Sequence, residues 1–376
     1  MASYSPESED ISPHAQLLST LQSSITRALT SNRPLLTHLN ADTTWLLSLP
    51  YPAKAPNPRR RTFFHMLLDP WLVGSQSDVA KFFSQQWHAI EPSVQSIASV
   101  EALIKDLERA ASGCFDEDVS YSSPLHQEDT QQRGEDWLGA VIISHEFTDH
   151  MHKETLLEVR SSTPIFATSK AAGIIRSWGH FENVVDIERF TGDWRTNRHE
   201  LLPDWCSVSR VAYDGPDLLY YHSAIMVVFC AGQSWGPKGA NKAEAVIYTP
   251  HGIDPENLAI LVEAEPKVQT LALLHGLQDI QISSGWTKSV KAQLNKGAHN
   301  GLKVQRLLRS RYWIGTHDEV KKGGGIVSWF LDRKIITVED AITIEKTSIE
   351  EEEGKHMELG NVRFVDLGNG ESLLLE

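Results

Sequence analysis

An apolar, β-branched stretch that runs without a spacer into a histidine-rich turn constrains this chain more than any other feature. Val141-Ile142-Ile143 reads as a buried strand, and Ser144-His145-Glu146-Phe147-Thr148-Asp149-His150 follows it directly. A turn at a strand end brings its side chains together without requiring distant backbone to be held in register. His145 and His150 are candidate neutral nitrogen ligands and Asp149 is a hard oxygen ligand, a mixture that Zn²⁺, Mn²⁺ and Fe²⁺ accept.

Strands and helices alternate along the rest of the chain, which indicates layered α/β. Residues 43–47 and 63–68 read as strands on either side of a proline-rich loop that carries Arg59-Arg60-Arg61. The second strand ends at Asp69-Pro70-Trp71, a turn that cannot continue a ladder. Further strands are expected at 164–167, 224–229, 245–248, 271–274 and 312–314. Helices are expected over 101–110, from about Lys153, from a Ser169 cap to Trp178, after the Asp254-Pro255-Glu256 start signal, and over 301–308. Asn295, Gly297, His299 and Asn300 suit a tight loop with positive φ at glycine. Leu18, Leu21, Ile25 and Leu29 recur at helical spacing near the start. No internal repeat is visible. The expected organisation is an N-terminal extension over 1–34 and a main domain over 35–335 with an acidic surface insertion at 115–136. A C-terminal extension over 336–376 packs on or near that domain.

Charge and cysteine usage narrow the function classes. Lys and Arg total 35 against 49 Asp and Glu, a formal charge of −14. So acidic a surface repels phosphate backbones, and no basic stripe compensates, so a nucleic-acid partner is not expected. The three cysteines, Cys114, Cys206 and Cys230, form no CxxC pair, which argues against a disulfide framework or a thiolate zinc knot. The polar, acidic start is no signal peptide. The longest apolar stretch, 224–231, falls short of the roughly 20 residues of a membrane span. A cytoplasmic protein acting on a small molecule is the expectation.

The histidine turn resembles the His-x-His-x-Asp-His signature of the metallo-β-lactamase superfamily, which also follows a buried strand. Leu67-Leu68-Asp69-Pro70-Trp71 looks like the Asp-Pro-Trp strand end of the branch containing ascorbate-6-phosphate lactonase and the N-acyl phosphatidylethanolamine phospholipase D. Val246-Ile247-Tyr248-Thr249-Pro250-His251-Gly252 sits where that branch has a strand ending in Gly-Asp-Thr. Gly315-Thr316-His317-Asp318-Glu319 sits where the last ligand histidine closes a strand. The fuller wording resembles fungal members of the branch, and the likeness covers roughly residues 35 to 335. It implies an αββα four-layer sandwich, two mixed sheets face to face with helices outside.

Two departures from the signature change what the resemblance implies about the site. Phe147 stands at the motif's second histidine and cannot coordinate anything. His251, a monodentate nitrogen donor, stands where an aspartate bridges two metals. The first metal position is therefore expected to be weakened or lost, while Asp149, His150 and His317 retain the second, with a place for water. His145 and His251 then complete coordination or act as acid/base groups. His222, before the strand from Ala224, matches the family's middle ligand histidine. Asp69 is expected behind the site, orienting ligand residues, and His152 facing the cleft or solvent. The expected metal set is thus His145, Asp149, His150, His222, His251 and His317, holding one ion, zinc with manganese or iron as alternatives. Asp149 and His251 are the catalytic candidates.

Three activities fit this pattern. The first is a metal-dependent hydrolase of a small ester, lactone or phosphodiester-type substrate acting through metal-activated water. The second is a degenerate, non-catalytic binding protein that keeps the fold, motivated by Phe147 and His251. The third is a mono-iron oxidoreductase at a histidine and carboxylate site.

Overall fold

The computed structural model describes residues 31–78, 81–111, 136–212, 222–230, 243–283, 290–325, 329–353 and 362–376. The helix expected around Leu18–Leu29 and nearly all of the acidic insertion lie outside the described residues.

A seven-stranded sheet comprises β1 (Leu35–His38), β2 (Trp45–Pro50), β3 (Phe63–Leu68), β5 (Ala140–Ile143), β6 (Ile165–Ala167), β7 (Val184–Asp186) and β18 (Ser372–Leu374). Its order is β18-β1-β2-β3-β5-β6-β7, antiparallel up to β3 and parallel from β3 to β7. A six-stranded sheet comprises β8 (Cys206–Ala212), β9 (Ser223–Phe229), β10 (Ala243–Thr249), β11 (Val268–His275), β14 (Tyr312–Ile314) and β17 (Phe364–Val365). Its order is β17-β14-β11-β10-β9-β8, parallel from β17 to β10. A smaller sheet of β12 (Gln278–Ser283), β13 (Val290–Lys296) and β16 (Leu331–Ile335) stands beside them, and β4 (Gln86–Trp87) pairs with β15 (Lys322–Gly323).

Strand side chains sort by the two-residue period into two cores. Trp45, Leu47, Leu49, Phe64, Met66, Leu68, Ala140, Ile142 and Phe166 point into the core shared with the six-stranded sheet. Their alternates, Leu46, Phe63, Leu67, Val141, Ile143, Ile165 and Ala167, point the other way. There they meet Val100, Leu103, Ile104 and Leu107 of helix Ile97–Ala111, and Ala171, Ala172 and Ile175 of helix Ser169–Ser177. Burial on both faces explains why these strands read as continuous apolar runs. Beside the six-stranded sheet, helix Gly297–Leu308 packs against Trp313 of β14 through Gly301, where an added Cβ would lie 2.3 Å from the ring. The architecture is the αββα sandwich.

Several local expectations need correction. Thr43 and Thr44 precede β2 rather than open it, because Asn40 Oδ1 accepts the amides of Asp42 and Thr44 and turns the chain there. The helix after the histidine turn is a single turn, Lys153–Leu156, and His152 is its buried N-cap, its Nδ1 accepting from the Thr155 amide. The helix at 169 is preceded by Thr168 as N-cap, so Ser169 is already helical. The Gly297-to-Asn300 run is not a loop before a helix but the helix's first turn, entered through Gly297 at φ +63°. Neither the three-stranded sheet nor the edge strands β17 and β18 are anticipated from the sequence.

Candidate metal centre

Parallel strands of both sheets end at one edge of the sandwich, and the polar groups gather there. Crevices beyond the carboxyl ends of parallel strands are where such folds bind ligands. β3 ends in Asp69, β5 in the histidine turn, β10 in Thr249-Pro250-His251 and β14 in Gly315-Thr316-His317. Asp69 (φ 41°) and His317 (φ 58°) both occupy the left-handed region, a conformation that costs a non-glycine residue free energy and persists only where surroundings enforce it. His317 is held by its amide, which donates to the Asp42 carbonyl at 2.8 Å. Thr44 Oγ1 donates to the Asp69 carbonyl at 3.0 Å.

The tautomers of two rings follow from their partners. His150 Nδ1 lies 2.7 Å from Asp69 Oδ2 and must donate to it; Asp69 also accepts the Ser144 amide at 2.7 Å and the Ser144 hydroxyl. His251 Nδ1 donates to Asn295 Oδ1 at 2.8 Å. Both rings therefore turn Nε2 inward, and those two atoms stand 3.0 Å apart. With both Nδ1 hydrogens committed, this contact needs either a further proton on one Nε2 or a metal ion taking both lone pairs. Nitrogen ligands on a tetrahedral zinc stand about 3.3 Å apart when each Zn–N bond is about 2.0 Å. The donor atoms of His150, His251 and His317 all lie within 4.8 Å of one another. An imidazole triad with room for a further ligand fits a catalytic divalent ion. The buried His145 ring adds a fourth imidazole, 4.7 Å from His251 and 5.3 Å from His150 between centroids.

A second group, Asp42, Asp149 and His317, also has its donor atoms within 4.8 Å. An ammonium sits on it. Lys321 Nζ is 2.6 Å from Asp149 Oδ2, 2.8 Å from Asp42 Oδ2 and 3.2 Å from His317 Nε2. His317 Nε2 is itself 3.2 Å from Asp149 Oδ2, and the nearest approach of Asp149 to His150 Nε2 is 3.8 Å. The carboxylate expected among the ligands thus makes its shortest contact with a lysine.

Electrostatics follow from burial and these pairings. Burial alone would raise Asp149 and Asp42, but Lys321 and the neighbouring histidines together outweigh it and hold both below the ordinary carboxylate value, Asp149 well below. Burial would lower Lys321, but Asp149 and Asp42 raise it, so the ammonium persists. Burial and the neighbouring histidines push His145 and His251 well below the usual imidazole value, and burial with Lys321 lowers His317. His150 goes the other way: burial lowers it, but Asp149 and Asp69 more than compensate.

A pocket of about 290 Å³ opens over the centre. Asp149, His251, His317 and Lys321 line it, with an apolar wall of Phe83, Phe147, Ile280, Ile282, Leu294 and Leu331. Phe147 stacks on His145, centroids 6.1 Å apart, and meets His251 edge-on at 6.4 Å, so its ring fills the space beside them. Asp78, also in the pocket, accepts the Thr148 amide at 3.0 Å, and its carboxyl is pushed up to about 6 by burial and Asp149. His222 lies just before β9; continuing the β9–β10 register sets it level with His251, and Ser223 accepts from Thr249 Oγ1 at 3.0 Å. The structure therefore brings together His145, Asp149, His150, His251 and His317, with His222 at the same sheet end. Asp42, Asp78 and Lys321 were missed. The only sequence signal was that Lys321 follows His317 closely.

The fold is an αββα sandwich, and its clustered histidine and aspartate side chains lie at the edge where the parallel strands end. No family model matches the sequence, and no curated protein matches it either. Among solved structures, an isothiocyanate hydrolase from Delia radicum gut bacteria is 14% identical with a TM-score of 0.48, over 91% of this chain and 99% of that one. A possible metal-dependent hydrolase from Veillonella parvula is 14% identical at 0.46, over 91% and 100%. The metallo-β-lactamase-fold protein YhfI from Bacillus subtilis is 9% identical at 0.42, over 90% and 99%. Among the described residues no helix is long and apolar enough to cross a membrane.

Proposed function

We propose that this chain is a metal-dependent hydrolase of a small ester, lactone or phosphodiester-type substrate, working with one divalent ion at His150, His251 and His317. The observation that carries this reading is the pair of inward Nε2 atoms 3.0 Å apart, each with its Nδ1 hydrogen already committed. A zinc ion there, or manganese or iron in its place, supplies a Lewis acid and a means of activating water. Asp69 and Asn295 hold two of the rings in the tautomer that presents a lone pair. His145 and His222 stand by as further donors. The apolar wall excludes water and orients a small substrate, as pocket linings of this size do. Asp78, with its raised carboxyl, is placed to deliver a proton to a leaving group.

Elemental analysis of protein purified without chelating resin, joined to an esterase, lactonase and phosphodiesterase screen, tests this. The expected result is one bound equivalent and an activity that chelation abolishes and metal restores. Protein that neither retains nor takes up metal would support the second reading, a non-catalytic binding protein, which the Phe147 ring beside His145 favours.

A further inference from the structure

We propose that Lys321 is a built-in cation occupying the neighbouring donor group of this centre, formed by Asp42, Asp149 and His317, and that it limits the centre to one ion. The inference builds on the reading of His150, His251 and His317 as the resident-ion site, and it concerns the neighbouring group. That group has the donor spacing of a metal site, yet its middle is taken by Lys321 Nζ at 2.6, 2.8 and 3.2 Å from Asp149, Asp42 and His317.

The ammonium is not a surface lysine that happens to fold inward. Its side chain is 6% exposed, and Nζ stands 5.3 Å over the ring of Trp71, itself fully buried. Residues on both sides are tied to the 86–90 segment. Glu319 Oε1 accepts the amides of Ala89 and Ile90 at 2.6 and 2.9 Å, and Lys322 pairs with Trp87. Charge balance gives the reason for such a residue. Asp42 and Asp149 are buried carboxylates, and a buried charge without a partner costs several kcal/mol. One permanent cation answers both, and a dication could enter between these two carboxylates only by displacing the ammonium that already touches them. A lysine also needs no metal supply, so the carboxylate half of the centre stays assembled whether or not the resident ion is bound.

Cobalt and zinc stoichiometry, by equilibrium dialysis with elemental analysis and by the visible spectrum of bound Co²⁺, tests this on the full chain and on Lys321→Met. Methionine keeps the unbranched stem against Trp71 and removes the charge. The expected result is one equivalent for the unmodified protein and two for Lys321→Met, with a second set of Co²⁺ bands. Lys321→Met should melt lower without metal and recover in excess Co²⁺, whereas Lys321→Arg should keep the unmodified stoichiometry. Two equivalents in the unmodified protein would overturn the lysine proposal and leave the hydrolase reading standing. No metal in the unmodified protein but one equivalent in Lys321→Met would uphold the lysine proposal and sink the resident-ion reading. The same count in both proteins overturns the lysine proposal, and a count of zero in both overturns the two together. If Lys321→Met does not fold, Lys321→Gln is read by the same criteria.

Discussion

His150 Nε2 faces His251 Nε2 at 3.0 Å although both rings have given their Nδ1 hydrogens to other partners, Asp69 and Asn295. Such a contact is stable only with positive charge at it, either a proton shared between the rings or a metal ion taking both lone pairs. Truncating either ring removes a donor while leaving the sheet ends intact. His150→Ala and His251→Ala are therefore each expected to weaken zinc binding by at least about 100-fold, since three-ligand sites do not survive as two-ligand ones. Competition titration with a chromophoric chelator measures this, and unchanged affinity in both variants would show that the ion binds elsewhere.

Asp69 acts through His150 rather than on the metal. Its Oδ2 accepts from His150 Nδ1 and the Ser144 hydroxyl, and its Oδ1 from the Ser144 amide. Asp69→Asn keeps the shape but offers one acceptor oxygen where two are used. Outer partners of ligand histidines usually contribute about 10–100-fold in metal affinity. A loss in that range, with the far-ultraviolet circular dichroism unchanged, is the expected outcome.

Gly301 is a packing requirement of the helix that backs the centre. An added Cβ would meet Trp313 Cζ2 at 2.3 Å and His275 Nδ1 at 3.0 Å, both on buried rings with little freedom to yield. Gly301→Ala should destabilise the fold by about 1–3 kcal/mol through overpacking, despite alanine's better helix propensity. Urea unfolding followed by tryptophan fluorescence would register the change, and a stabilised variant would contradict the packing described here.

Acid should unfold this protein through histidines that lie outside the metal centre. His38, His65 and His275 are buried, and burial is the main cause lowering each below the usual value. Above an unfolded-state pKa of about 6.5 these rings are neutral in both states, and the full stability is present. As pH falls below that value the unfolded chain takes up protons that the folded chain refuses, so stability declines. Urea midpoints measured from about pH 8 to pH 5 should be level at first and then fall below about pH 6.5. Midpoints that stay flat or rise towards pH 5 would count against it.

Sequence patterning carried much of this structure because its signals are local. The runs at Phe63–Leu68 and Ala140–Ile143 are buried on both faces, so their apolar continuity survives whatever surrounds them. The turn from Ser144 to His150 assembles within a few residues, and Asp69 ends β3 where proline stops the ladder. The grouping of His145, Asp149 and His150 was legible for that reason, whereas the αββα class and the places of His251 and His317 were implied by the resemblance to the metallo-β-lactamase superfamily.

What only the tertiary structure decided depends on groups brought together from far apart in the chain. Lys321 stands in a Lys-Lys-Gly-Gly-Gly run that by itself describes a solvated turn. It is buried because Asp149, 172 residues away, and Asp42, from the segment before β2, converge on it. Asn295 orients His251 only because β13 folds over the mouth of the centre, in a small sheet whose strands carry weak apolar periodicity. Local pattern reports which side chains leave water, since hydrophobic burial follows the period of each strand. The pairing of buried charges has no period, and it is set by which distant segments meet once the two sheets have packed.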